Sequence, residues 1–409
     1  ARNRMKKSIV VFSLLVAVMT FGVFFYEKND FKQNVDLARL GEEELFSYKS
    51  KYVGDASNVS RLLDQLAFGT YRRSLSLQTV KEPYGMTVHY DMENTEMGLK
   101  KIEKLLYDNT VILFVLIENL DRITFDMNVD AKHVSYSFER EQVQKQMDEH
   151  LSVYAKDIDR FRSLLYALKG VGDVEKAVGE AIKEHGKTYG KGEYITEGHI
   201  ILGAEQKGNE VKAYTIASVG VFEFQDGIFA IVSGSGAIPT VMTFSIDEHG
   251  QYKLIAYEEP LDGDAYAKSV KRMFPKKYYS QVLYAEKYYD ELAKRQERQA
   301  REYLKQIGRD AKVSTSYVEK QPLNISVEAM NHFLTMLGSD PFLSKCPDWL
   351  GTREVIEQGV RYVYETSQSK TNDENDERDV IVLRKMKEDG TVIDMRQYVI
   401  EENKLKRIK

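Results

Sequence analysis

The pattern of apolar and polar residues opens with an unbroken apolar run at 9–26, which follows the basic residues Arg2, Arg4, Lys6 and Lys7. A helix of this length can cross the hydrocarbon core of a bilayer, which is about 30 Å thick. Basic flanking residues stay on the cytoplasmic side. We therefore predict that residues 1–30 form a cytoplasmic flank and a transmembrane anchor in the cell membrane, and that the rest of the chain is extracellular.

A cleaved signal peptide is the competing interpretation of this run. Residues 20–26 end in bulky aromatic side chains, however, and lack the small residues of a cleavage site. The first residue is Ala1, so translation begins at Met5 or the sequence is the C-terminal piece of a longer chain. We follow the interpretation of an uncleaved anchor.

The segment after the anchor alternates between helical and strand periodicity. Residues 31–51 are polar and helix-prone, which predicts a juxtamembrane stalk. A first domain at 52–170 begins with a short helix whose apolar residues are Val59, Leu62, Leu63 and Leu66. Further elements are expected as strands at 74–80, 86–92, 122–129 and 133–139, a long helix at 96–120, and a charged helical connection at 140–170. This α-β-β-α-β-β order favours helices packed on an antiparallel sheet.

The remaining chain predicts two more domains, at 171–312 and 313–409. A helix at 174–185 precedes five strand-like runs at 194–205, 211–224, 228–234, 240–246 and 252–258, which are separated by glycine turns. Helices follow near 264–274 and 280–307, the second with a solvated face of i,i+4 ion pairs. The last domain is small, with one helix at 326–337 and short strands. The predicted fold class is α+β, with two or three extracytoplasmic domains of antiparallel sheet packed with helices.

The amino-acid composition narrows the range of possible functions. A net charge of −5 argues against nucleic acid as a partner, as does the expected extracellular location. The single cysteine, Cys346, allows no internal disulfide. The seven histidines are dispersed and show no metal-binding spacing, so we expect neither a metal nor another cofactor.

Two short features are candidates for a ligand site. Glu197 and His199 are two residues apart on a predicted strand, so their side chains share one face and form a polar pair. The alternative is that they are an exposed or half-buried pair on the strand without function. Gly234 and Gly236 punctuate a neighbouring run, where a bulge would re-aim side chains. We expect these four residues to bind a ligand. We identify no catalytic residue.

Several sequence segments resemble a known family. They are 51–55 (KYVGD), 77–85 (LQTVKEPYG), 116–119 (LIEN), 197–203 (EGHIILG), 232–239 (VSGSGAIP), 271–275 (KRMFP) and 302–310 (EYLKQIGRD). Together they resemble the uncharacterised extracytoplasmic region of beta-lactam sensor-transducer (Bla/Mec antirepressor) relatives from Gram-positive bacteria. The resemblance covers residues 1–310. It implies a sensing or regulatory role and a membrane metalloprotease domain that lies outside this chain.

The sequence therefore predicts a membrane-anchored extracytoplasmic sensor or ligand-binding module that is not itself an enzyme. Its expected partners are the bilayer, through residues 9–26, and an unknown envelope ligand. Two alternatives stay open. One is a cell-envelope hydrolase acting on wall glycan or peptide, and the other is a structural or protein-interaction factor of the envelope.

Overall fold

The computed structural model describes residues 42–93, 95, 97–372 and 376–409. The predicted anchor at 9–26 and most of the predicted stalk lie outside this part of the chain. The described residues form an α+β structure with antiparallel sheets packed with helices, which confirms the predicted α+β class. None of the helices they form has the length and apolar character needed to cross a bilayer.

A four-stranded sheet with its helices forms the first part of the structure. Its elements are α1 (Glu42–Phe46), α2 (Ala56–Gln65), β1 (Arg72–Gln78), β2 (Gly85–Met92), α3 (Leu99–Leu116), β3 (Arg122–Val129) and β4 (Lys132–Glu139). The predicted element order is confirmed, with shorter bounds for the long helix. Leu45 on α1 is fully buried, so this section of the predicted stalk is packed against the core and is not a free connection.

The strand directions in this sheet differ from the expectation at one pair. The strand order is β1-β2-β3-β4, and the central pair β2–β3 is parallel while the two outer pairs are antiparallel. The physical reason is the connection, because α3 carries the chain back along the sheet before β3 starts beside β2. The apolar residues of α3 from Val111 to Leu116 are buried against the sheet, as the pattern indicated.

A polar contact holds the two helices of this core together. Asn109 on α3 is fully buried, and its side-chain amide makes two hydrogen bonds to the backbone of Ala67. Asn109 Oδ1 accepts from the Ala67 N–H at 3.2 Å, and Nδ2 donates to the Ala67 carbonyl at 2.9 Å. The chain that follows α2 is thereby fixed to the middle of α3.

Three short helices lead from the first sheet to the second. They are α4 (Arg140–Gln144), α5 (Leu151–Tyr154) and α6 (Ile158–Leu168), followed by the longer α7 (Gly172–Gly186). Asp157 caps α6 by accepting a hydrogen bond from the Arg160 N–H. The hydrophobic cluster of the first part extends to Leu165, and the next cluster begins at Tyr166. α6 therefore contributes to both cores.

The second sheet contains the five predicted strands, β5 (Tyr194–Lys207), β6 (Glu210–Gln225), β7 (Ile228–Gly234), β8 (Ile238–Ile246) and β9 (Tyr252–Glu258). This part of the sheet is four strands wide and not five, because β7 and β8 lie end to end along the same side of β6. Strand β5 pairs with the other side of β6, and β9 pairs with β8. The predicted meander is therefore present with one interrupted strand.

Helices cover both faces of this sheet. Val174, Val178 and Ile182 of α7 pack on one face. The other face carries α8 (Tyr266–Met273), α9 (Tyr279–Val282) and α10 (Tyr289–Gln306), through residues such as Val270 and Leu292. α10 approaches β5 closely at Gly198, where a Cβ would lie 2.8 Å from the Leu292 carbonyl oxygen. Only glycine fits this contact.

The last part of the chain extends the same sheet. Its elements are β10 (Val313–Ser314), α11 (Val327–Leu337), β11 (Gly351–Glu357), β12 (Val360–Lys370), β13 (Asp379–Lys387), β14 (Val392–Glu401) and β15 (Lys404–Arg407). β11 pairs with the end of β6, and β10 adds in parallel to β7. Asp226 secures this junction by accepting hydrogen bonds from the Thr352 N–H at 2.7 Å and from Trp349 Nε1 at 3.2 Å. The predicted domain limits at 170/171 and 312/313 stay a prediction.

Replacing Asn109 with alanine should lower the free energy of unfolding by about 2 to 3 kcal/mol, because it leaves the buried N–H and carbonyl of Ala67 without partners. The shift of the urea midpoint followed by circular dichroism measures this effect. Asn128→Ala, on the exposed face of β3, is the matched control and should change the stability by less than about 0.5 kcal/mol. Equal effects of the two changes would contradict the role given to Asn109.

Candidate functional site

The predicted pair Glu197 and His199 lies on β5, an edge strand of the second sheet. The two side chains share one face and touch, with 2.6 Å between His199 Nδ1 and Glu197 Oε2. The alternative of an exposed or half-buried strand pair is wrong, because Glu197 is 4% and His199 1% exposed. α7 and α10 close over this section of β5, so the pair is enclosed and its ligand-binding role stays a prediction.

Arg295 of α10 completes the cluster. Its guanidinium donates from Nη1 to the His199 carbonyl oxygen at 2.6 Å, and its Nη2 lies 3.3 Å from His199 Nε2. Nη2 is also 3.8 Å from Glu197 Oε1 and 3.7 Å from Glu175 Oε1 on α7. Because arginine can only donate, Nε2 of His199 is the acceptor and its Nδ1–H donates to Glu197. The arrangement thus fixes one tautomer of a neutral imidazole.

The charges of the cluster follow from burial and from these contacts. Burial lowers the pKa of His199 below its ordinary value, and the positive charge of Arg295 lowers it further. Burial acts to raise the pKa of Glu197, but His199, Arg295 and hydrogen bonds from His199 and Gln299 outweigh it and hold the pKa well below its usual range. Glu197 is therefore ionised and paired with Arg295 across a neutral histidine.

The same side chains cover the outer edge of β5. The backbone N–H of Glu197 donates to Gln299 Oε1 at 2.9 Å, and Gln299 Nε2 donates back to Glu197 Oε1 at 3.1 Å. The His199 carbonyl accepts from Arg295 and also from the Tyr166 hydroxyl at 3.3 Å. An uncovered edge strand can pair with another chain, and α10 and α6 prevent this here with side-chain groups.

The cluster continues to the N-terminal end of the described chain. The backbone N–H of Glu42 donates to Glu291 Oε1 on α10 at 2.9 Å. Glu43 forms an ion pair with Arg298, one turn of helix beyond Arg295. Arg162 of α6 is buried and bonds Asp159 at 2.6 Å, and its charge acts on Glu42. A row of buried and partly buried charged groups therefore joins α1, α6, α7, β5 and α10.

Glu42 is a buried carboxyl group in direct contact with the partly buried carboxyl group of Glu291. Burial, the hydrogen bond to Glu42 and the charge of Glu42 raise the pKa of Glu291 to about 9. Burial acts in the same direction on Glu42, but the hydrogen bond from Glu291 and the charges of Lys169 and Arg162 lower its pKa to about 2. At neutral pH the pair therefore holds one proton, which resides on Glu291.

Gly234 and Gly236 lie at the interruption between β7 and β8 and do not join this cluster. Glu197 pairs with Val219 of β6, and Gly234 approaches the opposite side of the same strand. A Cβ at Gly234 would lie 2.2 Å from the Val219 carbonyl oxygen, so the close approach requires glycine. The four predicted residues thus fall into two separate places on either side of β6.

Arg295 and Glu291 are the residues that the sequence pattern misplaced. Their i,i+4 spacing indicated a solvated ion pair, but each bonds a different partner inside the protein. The pair Glu297–Arg301 on the same helix is exposed, as expected. The sequence did contain a signal for the burial of Arg295. The apolar residues Leu292, Ala300 and Leu304 form a buried stripe along α10, which also contains position 296 and is flanked by positions 295 and 299.

Comparison with known proteins gives one match. Residues 45–140 match a family described as a domain of unknown function, DUF4825. This range coincides with the four-stranded sheet and its helices, and it contains the first three of the segments that carried the resemblance noted above. The match does not link the chain to beta-lactam sensor-transducers. No curated protein and no solved structure matches the chain.

The described residues contain no group of three or more histidine, cysteine, aspartate or glutamate side chains that could hold a metal ion. The buried cluster is also closed to solvent, so no substrate reaches Glu197 or His199 in this conformation. Its chemistry is that of a charged junction between helices and an edge strand.

Arg295→Met should destabilise the protein by about 3 to 5 kcal/mol, because the ionised Glu197 would stay buried without its cation. Urea unfolding measures the loss. Arg301→Met, on the exposed face of the same helix, is the matched control and should cost less than about 1 kcal/mol. A small effect of Arg295→Met would contradict the charge assignment for Glu197.

The Glu42–Glu291 pair predicts a pH dependence of stability. Glu291 has a pKa of about 9 in the folded protein and an ordinary value of 4.5, so the folded state binds more protons between these values. Stability should therefore fall as the pH rises through this window. Glu291→Gln, which stays neutral, should flatten the fall in the thermal midpoint above pH 4.5, whereas Glu297→Gln should leave it as in the wild type. An unchanged slope in Glu291→Gln would refute the shared proton.

Proposed function

We propose that this chain is the extracytoplasmic sensing part of a membrane-anchored signal transducer, which binds an envelope ligand and has no catalytic role of its own. The observation that carries this proposal is the contact of Glu42 and Glu43 with α10. These two residues follow the predicted anchor in the sequence. A rearrangement of the second sheet and its helices would therefore act on the chain that leads to the membrane.

The buried cluster suits such a relay. Groups from five elements meet there through hydrogen bonds and ion pairs that depend strongly on distance and direction. A ligand shifts a conformational equilibrium only by its difference in affinity for two states. Charged groups that are compensated in one arrangement and uncompensated in another supply two distinct states. The cluster is thus a candidate for the element that a bound ligand biases.

A more specific part of the proposal concerns the assignment of the chain to a protein family. The match of residues 45–140 to a domain of unknown function agrees with the uncharacterised domain in the resemblance. We extend this to a regulator of the antirepressor type, whose membrane metalloprotease lies outside the chain. The alternatives, a wall hydrolase and a structural factor, have no comparable contact in their favour.

Membrane topology provides the test. The substitution Val80→Cys places a thiol at a position that is 97% exposed, and a membrane-impermeant thiol reagent should label it in intact cells that express the full chain. Cys346→Ala removes the native thiol, which is buried and has a pKa raised to about 12 by burial. Labelling of the introduced thiol only after lysis would place the domain inside the cell and overturn the proposal. The Cys346→Ala chain without the new cysteine serves as the control for background labelling.

A further inference from the structure

The second sheet has a notch along its interrupted strand. β10 covers the outer edge of β7 only at Phe229 and Ala230, and the pairing with β9 starts at Val241 of β8. Between these points, at 231–240, no described strand pairs with the outer edge. Gly236 within this stretch is exposed, and the space where its Cβ would lie is open.

A group of aromatic and polar side chains borders the notch. His185, at the end of α7, stacks on Tyr257 with ring centroids 4.2 Å apart and meets Tyr189 edge to face at 5.8 Å. Glu259 follows β9 directly, and its Oε1 lies 3.4 Å from His185 Nε2. The side chains of His185 and Glu259 are 29% and 30% exposed, so both reach solvent.

Two serine side chains of the notch hold Tyr189 in place. The Ser233 hydroxyl donates to the Tyr189 carbonyl oxygen, and the side chain of Tyr189 hydrogen-bonds Ser235. Ser235 Oγ in turn accepts from the Val219 N–H at 3.0 Å. Burial and the charge of Glu259 raise the pKa of both Tyr189 and Tyr257, so their hydroxyls stay protonated.

We propose that His185, Tyr189, Tyr257, Glu259 and Ser235 form a binding site for a neutral saccharide. A sugar ring offers an apolar C–H face and an edge of hydroxyl groups. The C–H face can pack on the half-buried ring of Tyr189, since Tyr257 is already stacked on His185. A carboxylate can accept two such hydroxyls side by side, and the imidazole provides a further polar contact. An aromatic surface with a few convergent polar groups is the usual composition of such a site.

Other ligand classes fit less well. An anion would approach Glu259 and its neighbour Glu258, and both carboxylates would repel it. A peptide strand would need the backbone N–H groups of the edge, but Pro239 has none and the strand is broken at 235–237. The hydroxyl-rich neutral ring meets no such obstacle.

This site rests on the proposed sensing function and gives it a ligand class. α7 connects the site to the buried cluster, since His185 lies at one end of the helix and Glu175, which faces Arg295, lies near the other. Midway along, a Cβ at Gly179 would be 3.3 Å from Glu197 Oε1. A saccharide that displaces the end of α7 would therefore act on Glu197 and Arg295.

Saturation-transfer NMR with the full chain tests the site. The protein is kept in a polyoxyethylene detergent, which carries neither sugar nor quaternary ammonium groups, and the probes are β-1,4-linked tetrasaccharides of N-acetylglucosamine and of glucose. Saturation should reach the ring C–H protons of at least one probe. Glu259→Gln should weaken the affinity about tenfold, because a hydrogen bond to a charged acceptor is lost. Glu258→Gln, at the exposed neighbouring position, is the matched control and should leave the affinity unchanged.

Three outcomes would overturn the site. They are no saturation transfer to either probe, an affinity that is the same in Glu259→Gln and the wild type, and displacement of the sugar by tetramethylammonium in a manner that depends on Glu259. The thermal midpoint of Glu259→Gln, measured alongside, verifies that the fold is retained. Failure here together with labelling of the Val80→Cys chain in intact cells would reject the saccharide site and leave the membrane topology of the sensor standing.

Discussion

The guanidinium group of Arg295 controls how the second sheet meets its helices. A buried cation is costly unless charged and polar partners compensate it. Arg295 is 9% exposed and reaches over the edge of β5 to the His199 carbonyl and towards Glu197 and Glu175. These contacts satisfy the cation and also cover backbone groups of the edge strand. α10 is thereby held at one register along β5.

A buried ionic network of this kind adds specificity more than stability. Apolar residues of similar volume often give an equally stable core, so charged groups restrict the number of acceptable arrangements. In this protein, the restriction reaches beyond one sheet, because Glu42 and Glu43 of the first part bind Glu291 and Arg298 of α10. The first and second parts of the structure are thus fitted together by directional contacts.

The sequence revealed local features well and long-range contacts poorly. Strand runs such as 228–234 and turns such as Asp226-Gly227 were predicted because periodicity and turn residues act within a few positions. The parallel pairing of β2 with β3 was missed because it depends on where α3 returns the chain. The pairs 291/295 and 297/301 have identical spacing in the sequence. Only tertiary packing makes 291/295 the more buried pair and leaves 297/301 exposed. The burial of Glu197 and His199 escaped prediction for the same reason.

The energy scale of the cluster is compatible with the proposed sensing role. Coupling between two sites in a protein is typically about 1 to 3 kcal/mol. One hydrogen bond to a charged group contributes about 1.5 to 3 kcal/mol. A shift of α7 that changes a single contact, such as the approach of Arg295 to Glu175, would therefore be sufficient to couple the notch to α10 and to Glu42. The coupling requires no large domain motion, only a helix that is held near both ends by polar contacts. α7 has His185 beside Glu259 at one end and Glu175 facing Arg295 near the other.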